Sequence, residues 1–360
     1  MTLRPHTLQA PSRRHAAHMS GLCRGARWLA VSIIGLSLAL SLTGCSITAS
    51  LMAPTATNTP EPTATATATT TPTLTPTATA TPTATPTPTP SPTPIPLEAS
   101  ISVDPGAVRQ GRISRLAVTT NLPATVTGSY VDRPFSFVSE DGLKHQAVLG
   151  ISALAELASP PLTVTIRAAD GRSMVLAINI EVLSGEYGEE YITLSSETAQ
   201  LLAPEITQPE MEFVDGIYAT HSPQILWEAS FQWPIDPRIT SHFGTRRSYG
   251  GQITGYHAGV DLGAPAGTPV LAPAPGVVLA AEELQVRGNA VFVDHGAGVV
   301  SGYYHLTEML VEPGQVIDTG NLLGLVGSTG LSTGAHLHWE IRVLGTAVDP
   351  VEWLEIPGTW

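Results

Sequence analysis

Hydrophobic residues follow three different patterns along the chain. Residues 28–42 form one apolar run of about 15 residues. Residues 97–194 and 233–360 contain short segments in which apolar and polar positions alternate, and turns rich in Gly, Pro and Asp separate these segments. Because side chains of a strand alternate between two faces, this period of two indicates half-buried strands. We therefore predict a mainly β protein.

The segment of residues 97–194 is predicted to be a small β-sandwich. Its alternating stretches include residues 113–118, 162–166 and 174–180, with Asp-Pro-Gly and Ala-Asp-Gly turns between strands. This spacing is typical of antiparallel sandwiches, of which the immunoglobulin fold is one candidate. His145 follows Asp-Gly and is expected in a solvated turn. The segment shows no catalytic constellation, so we interpret it as either a spacer or a docking module.

Residues 195–232 have no clear hydrophobic period and contain several acids and prolines. We predict a connecting arm with one short helix around residues 196–202. His221 lies later in this arm and is expected to be exposed. An arm that folds over the functional groove of the next domain is the alternative. Residues 233–360 return to short β-like runs separated by glycine turns, which predicts an all-β C-terminal domain without a helix of ordinary length.

The N-terminal region has the composition of an export signal. Its first 44 residues carry five arginines and no acid, and the apolar run ends in Leu-Thr-Gly before Cys45. The run is shorter than the roughly 20 residues of a membrane span. The ending resembles the lipobox of bacterial lipoproteins, which implies cleavage before Cys45, acylation of that cysteine and an anchor in a membrane of the cell envelope, outside the cytoplasm. A plain secretory signal and a start at Met19 are the alternatives.

The stretch after Cys45 is almost purely Thr, Pro and Ala up to about residue 96. With so few large apolar side chains it cannot offset its chain entropy by burial, so we predict a disordered, polyproline-like stalk. Removal of residues 1–44 takes away five positive charges and changes the formal net charge from −13 to −18. A chain this acidic has no basic surface for phosphates, which argues against a nucleic-acid partner.

Three histidine-containing segments of the C-terminal domain carry the candidate chemistry. They are residues 257–261, 303–306 and 336–341. In the last segment His336, His338 and Glu340 share one face of a strand and alternate with apolar residues. His257 and Asp261 also share one face at their four-residue spacing. Imidazole and carboxylate groups suit Zn²⁺, and a catalytic zinc site needs three protein ligands and an open position.

The C-terminal domain resembles the LytM/lysostaphin-type zinc endopeptidases, which cut peptidoglycan peptides. The resemblance covers about a third of the chain and rests on residues 239–246, 257–270, 304–306 and 327–340. It implies an open antiparallel β-sheet groove of the duplicated hybrid motif type. It also implies one Zn²⁺ per domain and hydrolysis of stem or cross-bridge peptides through a zinc-activated water.

The resemblance assigns roles to five residues of this sequence. His257, Asp261 and His338 would ligate zinc. His305 and His336 would be the unligated pair that faces the substrate, and which of them is the general base is left open. Intact residues at all five positions favour an enzyme over the alternative, a catalytically silent LytM-like protein that binds the wall or activates another hydrolase.

Three further residues near these motifs have two interpretations each. Glu340 either supports a zinc ligand from behind or forms an ordinary structural salt bridge. His295 is expected to be structural or at the surface, with a ligand pair formed with Asp294 as the alternative. His242 is expected at the surface, with a substrate contact as the alternative.

The sequence thus predicts five segments in chain order. They are a lipoprotein signal peptide (residues 1–44), the anchor cysteine and stalk (45–96), a β-sandwich (97–194), a connecting arm (195–232) and a zinc metallopeptidase domain (233–360). The oligomeric state of the protein is left open.

Overall fold

The computed structural model describes residues 95–250 and 253–357. The predicted signal peptide, Cys45 and nearly all of the predicted stalk lie outside the described residues and stay predictions. Strands dominate the described part of the chain, which confirms the mainly β fold class. Among these residues, no helix combines the length and the apolar character needed to cross a bilayer.

The first ten strands occupy the segment before the first helix. They are β1 (Ala99–Asp104), β2 (Ala107–Arg109), β3 (Ile113–Thr120), β4 (Ala124–Tyr130), β5 (Arg133–Ser136), β6 (Lys144–Gly150), β7 (Pro161–Ala168), β8 (Ser173–Asn179), β9 (Glu181–Leu183) and β10 (Glu189–Ile192). One sheet has the order β1-β3-β6 and another the order β5-β4-β7-β8, while β2 and β9 form a parallel pair. Alternating apolar residues of these sheets, such as Leu116, Leu162 and Val164, form one buried core.

His145 differs from its prediction. It is the second residue of β6 and its side chain is buried, because the preceding turn already ends at Lys144. Burial lowers the pKa of its imidazole. The expectation of a solvated turn at this residue is therefore wrong.

Two helices follow the sandwich. Helix α1 (Ser196–Gln200) lies where one short helix is predicted, and Ser195 caps it by accepting a hydrogen bond from the Thr198 amide. Helix α2 (Pro204–Tyr218) is an additional element with Pro204 in its first turn. Its buried positions are Glu210, Val214 and Tyr218, spaced four residues apart on one face. Two of these three are polar, so the face has no apolar period that would reveal the helix in the sequence.

Thirteen strands form the C-terminal part of the described chain. They are β11 (Ile239–Ser241), β12 (Arg246–Tyr249), β13 (Ile253–Tyr256), β14 (Val260–Gly263), β15 (Pro269–Leu271), β16 (Gly276–Leu284), β17 (Gly288–Gly296), β18 (Val299–Leu306), β19 (Glu308–Met309), β20 (Val316–Ile317), β21 (Leu322–Leu325), β22 (His336–Val343) and β23 (Thr346–Val348). A 3₁₀ helix, Pro350–Leu354, follows. The main antiparallel sheet has the order β11-β14-β22-β18-β17-β16-β20, and β23 pairs with β22.

The two faces of the main sheet have different roles. One face contributes Tyr303, Leu337, Trp339 and other apolar residues to the largest hydrophobic core. This confirms the alternation predicted for residues 336–341. On the opposite face, α2 packs against Phe292 and Tyr304. The same face carries the histidines, so α2 lies beside the histidine cluster.

A smaller sheet joins the end of the sandwich segment to the C-terminal domain. Strand β10 pairs in parallel with β12, and β12 pairs with β13. This pairing places Glu190 beside Arg247, whose guanidinium lies 3.3 Å from the Glu190 carboxylate. A strand from before the arm thereby supports a side chain of the candidate site.

His295 is fully buried on β17 in a polar chain of contacts. Its Nδ1 donates to the Pro275 carbonyl at 2.7 Å, which leaves Nε2 to accept from the Ser301 hydroxyl at 2.8 Å. The Tyr303 hydroxyl lies 2.8 Å from Ser301 Oγ. Burial lowers the pKa of His295 to about 4, although the Pro275 carbonyl opposes the shift. His295 is therefore buried and hydrogen-bonded within the sheet, as expected for a structural role and not for a surface one.

The low pKa of His295 predicts acid-dependent stability. The unfolded chain takes up a proton near pH 6.5 that the folded chain refuses until about pH 4, so stability present above pH 6.5 is lost as pH falls through this window. The His295→Gln variant should lose less unfolding free energy than wild type between pH 7.5 and 4, by on the order of 3 kcal/mol. Urea titrations at both pH values measure this, with His221→Gln as an exposed control. Parallel pH profiles for wild type and His295→Gln would contradict the prediction.

Candidate metal centre

Strand register brings two of the predicted ligands together. Asp261 on β14 and His338 on β22 are direct partners across the two antiparallel strands. His257 precedes β14 by a short turn that contains Gly259. A Cβ at Gly259 would lie 2.4 Å from the Trp339 carbonyl oxygen and 2.7 Å from His338 Nε2. The absence of a side chain there allows this turn to approach β22.

The three side chains converge on one point. His257 Nε2 lies 2.9 Å from Asp261 Oδ1 and 3.0 Å from His338 Nδ1, and His338 Nδ1 lies 2.9 Å from Asp261 Oδ1. All three residues are buried. The donor atoms thus form a nearly equilateral triangle of two nitrogens and one oxygen.

Other groups hold the remaining polar atoms of these three residues. His257 Nδ1 lies 3.0 Å from the His242 carbonyl oxygen and therefore donates to it. Arg247 donates to Asp261 Oδ2 at 2.7 Å. His338 Nε2 lies 3.5 Å from Glu340 Oε2. These contacts orient each side chain so that its remaining nitrogen or oxygen, the atom that could bind a metal, points to the common centre.

Protonation states at the centre follow from burial and from these contacts. Burial lowers the pKa of His257 to about 4. Burial alone would raise the pKa of Asp261, but hydrogen bonds with His257 and His338 reverse this and hold it well below its usual range. Burial opposes a charge on His338, whereas contacts with Asp261 and Glu340 raise its pKa. A neutral His257 and an ionised Asp261 are the forms in which these residues bind metals.

The donor set fits a zinc ion. Two imidazole nitrogens and one carboxylate oxygen are a catalytic zinc set, and tetrahedral bonds of 2.0–2.1 Å place ligands about 3.3 Å apart, close to the observed triangle. Metal-bound histidines almost always donate their other ring nitrogen to a carbonyl or carboxylate, as His257 does to the His242 carbonyl. His257, Asp261 and His338 could therefore hold the metal.

His305 and His336 lie beside this triangle. The His305 ring is 4.8 Å from the His336 ring and 6.2 Å from the His338 ring, centroid to centroid. His305 Nδ1 lies 2.8 Å from the Thr329 carbonyl oxygen, and His336 Nδ1 lies 2.8 Å from that of Gly334. Carbonyls only accept, so Nδ1 is the donor in both rings. Burial, and then the neighbouring histidines, lower the pKa of His305 to about 3.

A groove opens in front of the histidines. Its lining includes His257, His305 and His338, together with Tyr249, Tyr256, Val286, Arg287, Tyr304 and Leu331. The Tyr304 ring stacks on the His338 ring at 5.0 Å with an interplanar angle of 6°. Three of the five predicted site residues therefore line this groove, and Asp261 and His336 contact them from beside it.

The structure also locates the residues with two interpretations. Glu340 is buried between His338 and Arg342, so it forms a salt bridge and contacts a candidate ligand at once. His242 is exposed, and only its backbone carbonyl reaches His257. Sequence reasoning missed Arg247 and Glu190. The pair Arg246-Arg247 is visible in the sequence, but its pairing with a strand more than fifty residues earlier is not.

Comparisons with known proteins agree with this geometry. Residues 255–350 match the sequence profile of peptidase family M23. Peptidoglycan DD-endopeptidase ShyA of Vibrio cholerae serotype O1 is 36% identical over 143 residues, which cover 38% of this chain and 33% of ShyA. DD-carboxypeptidase/endopeptidase Mpg of Neisseria meningitidis serogroup B is 44% identical over 114 residues, which cover 32% of this chain and 26% of Mpg. The chain thus matches a third or less of the length of these curated relatives.

Among solved structures, the catalytic domain of lysostaphin from Staphylococcus simulans is 30% identical. The match covers 38% of this chain and 100% of that domain, with a TM-score of 0.28.

Proposed function

Since residues 255–350 form a domain of peptidase family M23, we propose that the chain is a zinc-dependent endopeptidase that hydrolyses peptide bonds of peptidoglycan. The buried triangle of His257, Asp261 and His338 carries this proposal. The substrate class is supported by the relatives named peptidoglycan DD-endopeptidase and DD-carboxypeptidase/endopeptidase. The complete donor set favours catalysis over a silent regulator, which would not need three buried ligands.

His257, Asp261 and His338 would hold the zinc ion. When bound, zinc supplies a Lewis acid that polarises the scissile carbonyl and makes a water molecule ionisable near neutral pH. Arg247 would hold the Asp261 carboxylate in place, because its guanidinium donates to the second carboxylate oxygen at 2.7 Å.

We assign proton transfer to His305. Its Nδ1 proton is held by the Thr329 carbonyl, so Nε2 is the free acceptor, and the lowered pKa keeps the ring neutral. His305 would take a proton from the attacking water and return it to the leaving amine. His336 is less buried than His305 and its Nε2 lies 3.7 Å from Asp261 Oδ1. His336 would contact the oxygen of the reacting carbonyl through Nε2.

Metal removal tests this proposal. The purified full chain should release soluble fragments from peptidoglycan, and dialysis against a chelator should slow that release by at least about 10³-fold. One equivalent of Zn²⁺ should restore it. Mass spectrometry of the products identifies the bond that is cut. Release that is equally fast before and after chelation would contradict a zinc peptidase, and absence of release with zinc bound would favour the silent regulator.

A further inference from the structure

Helix α2 lies outside the M23 match yet packs on the face of the main sheet that carries the histidines. Its apolar contacts come from Val214 and Tyr218, which pack with Phe292 and Tyr304. The Tyr218 ring meets the Phe292 ring edge-on at 5.5 Å. Two chains of polar contacts start from this helix, and both end at His338.

The first chain passes through a pair of tyrosines. The Tyr218 hydroxyl lies 2.5 Å from the Tyr304 hydroxyl, and the Tyr304 ring stacks on the His338 ring. Both tyrosines are buried. Gly302 makes room for the pair, because a Cβ there would lie 2.3 Å from the Tyr218 oxygen and 2.7 Å from the Tyr304 oxygen. The hydroxyl pair therefore fixes where the Tyr304 ring meets His338.

The second chain passes through an arginine and a carboxylate. Asp215 accepts from Arg342 at 2.6 Å, and Arg342 donates to Glu340 Oε1 at 2.5 Å. The other Glu340 oxygen is the one that lies 3.5 Å from His338 Nε2. The Arg342 guanidinium also lies 4.2 Å from the centre of the Tyr218 ring, so the two chains support each other.

Glu210 links the same helix to His305, one of the two histidines beside the donor triangle. Its carboxylate accepts from the amides of Val286 and Arg287 and from the Arg287 guanidinium, at 2.7 to 3.1 Å. The Arg287 carbonyl in turn accepts from the His305 amide at 2.9 Å. Helix α2 thus holds the segment against which His305 is placed.

We propose that Tyr218 and Asp215 of helix α2 are positioning residues for the His338 imidazole, through Tyr304 and through Arg342 and Glu340. This inference rests on the proposed function, in which His338 is a zinc ligand. The stack holds the plane of the imidazole and Glu340 holds its Nε2, so Nδ1 stays aimed at His257 and Asp261. Groups that orient a ligand from behind typically change metal affinity by about 10- to 100-fold when removed.

Zinc affinity of the full chain tests the proposal. The variants are Tyr218→Phe, which keeps the ring, and Asp215→Asn, which removes a charge at an exposed position. Competition with a chromophoric chelator should show zinc bound about 3- to 10-fold more weakly by each, because Tyr218 acts through one intervening residue and Asp215 through two. The double variant should lose about 10- to 100-fold. Asp215→Glu, which retains a carboxylate for Arg342, should restore wild-type affinity.

Matched controls separate positioning from general destabilisation. Glu212→Gln removes the same charge from an exposed position of the same helix, and Tyr191→Phe removes an exposed hydroxyl elsewhere. Both should bind zinc within about twofold of wild type. Thermal unfolding of the metal-free chains gives the stability of each variant, and with zinc saturating, kcat should fall in Tyr218→Phe while KM stays unchanged.

Each outcome decides the proposal. Wild-type affinity in Tyr218→Phe and Asp215→Asn would overturn it and leave the zinc peptidase standing. If Asp215→Asn loses no more zinc affinity than Glu212→Gln does, the proposal is also overturned, because the loss would then come only from removing a negative charge from the helix. If Tyr218→Phe does not fold, Asp215→Asn and its rescue by Glu decide. A wild-type chain that binds no zinc would remove the proposed function and this inference together.

Discussion

The His338→Ala variant is expected to release soluble fragments from peptidoglycan at least about 10³-fold more slowly than the wild-type chain. His338 Nδ1 is one corner of the donor triangle, and the two remaining donors, His257 Nε2 and Asp261 Oδ1, make an incomplete zinc site. Zinc should remain below one equivalent after gel filtration, as measured by atomic absorption. The deficit in activity should persist at saturating substrate.

Removal of His338 also leaves the Oε2 side of the buried Glu340 carboxylate without its neighbour, so folding must be checked. His338→Gln keeps a polar group at this position and serves as the second variant. His221→Ala removes an imidazole that is exposed on the arm and should keep full activity. Peptidoglycan cleavage at the wild-type rate in either His338 variant would remove the mechanism.

The second large loss of activity is expected on substitution of His305, and here activity should fall without a loss of zinc affinity. His305→Asn should lower kcat by about 10²- to 10⁴-fold, the usual contribution of a positioned acid or base. Zinc affinity should stay within about threefold of wild type, because the three donor atoms belong to other residues. Single-turnover kinetics and a zinc titration measure the two quantities independently.

Asparagine is the appropriate replacement because of the backbone at this position. His305 has φ of 62°, a left-handed conformation that Asn adopts more readily than Ala does. A loss of activity in His305→Asn therefore reports the imidazole and not a strained strand end. Wild-type kcat in this variant would assign proton transfer elsewhere, with His336 the next group to change.

The candidate site residues can be picked out from the sequence because they lie in short local patterns. The alternation of residues 336–341 fixes which side chains share a face, and the structure has Leu337 and Trp339 in the core and His338 on the opposite face. The grouping of His257 and Asp261 with His338 depends on strand pairing. The resemblance to a known family supplied that pairing, and periodicity alone did not.

Helix α2 and strand β10 could not be predicted for different physical reasons. The buried face of α2 has Glu210 and Tyr218 where an apolar stripe would be expected, and Pro209 lies inside the helix. These polar residues are buried because they hydrogen-bond to the sheet, a condition that only the tertiary structure reveals. Strand β10 pairs in parallel with β12, and such a non-local pairing leaves no local sequence signal.

The direct pairing of Asp261 with His338 across β14 and β22 has a consequence for how this architecture diversifies. Two of the donors sit in backbone ladder positions of an interior strand pair, whereas Tyr249 and Leu331 of the groove wall come from the ends of strands and from turns. Insertions at the rim can therefore reshape the groove while Asp261 and His338 stay paired across the two strands.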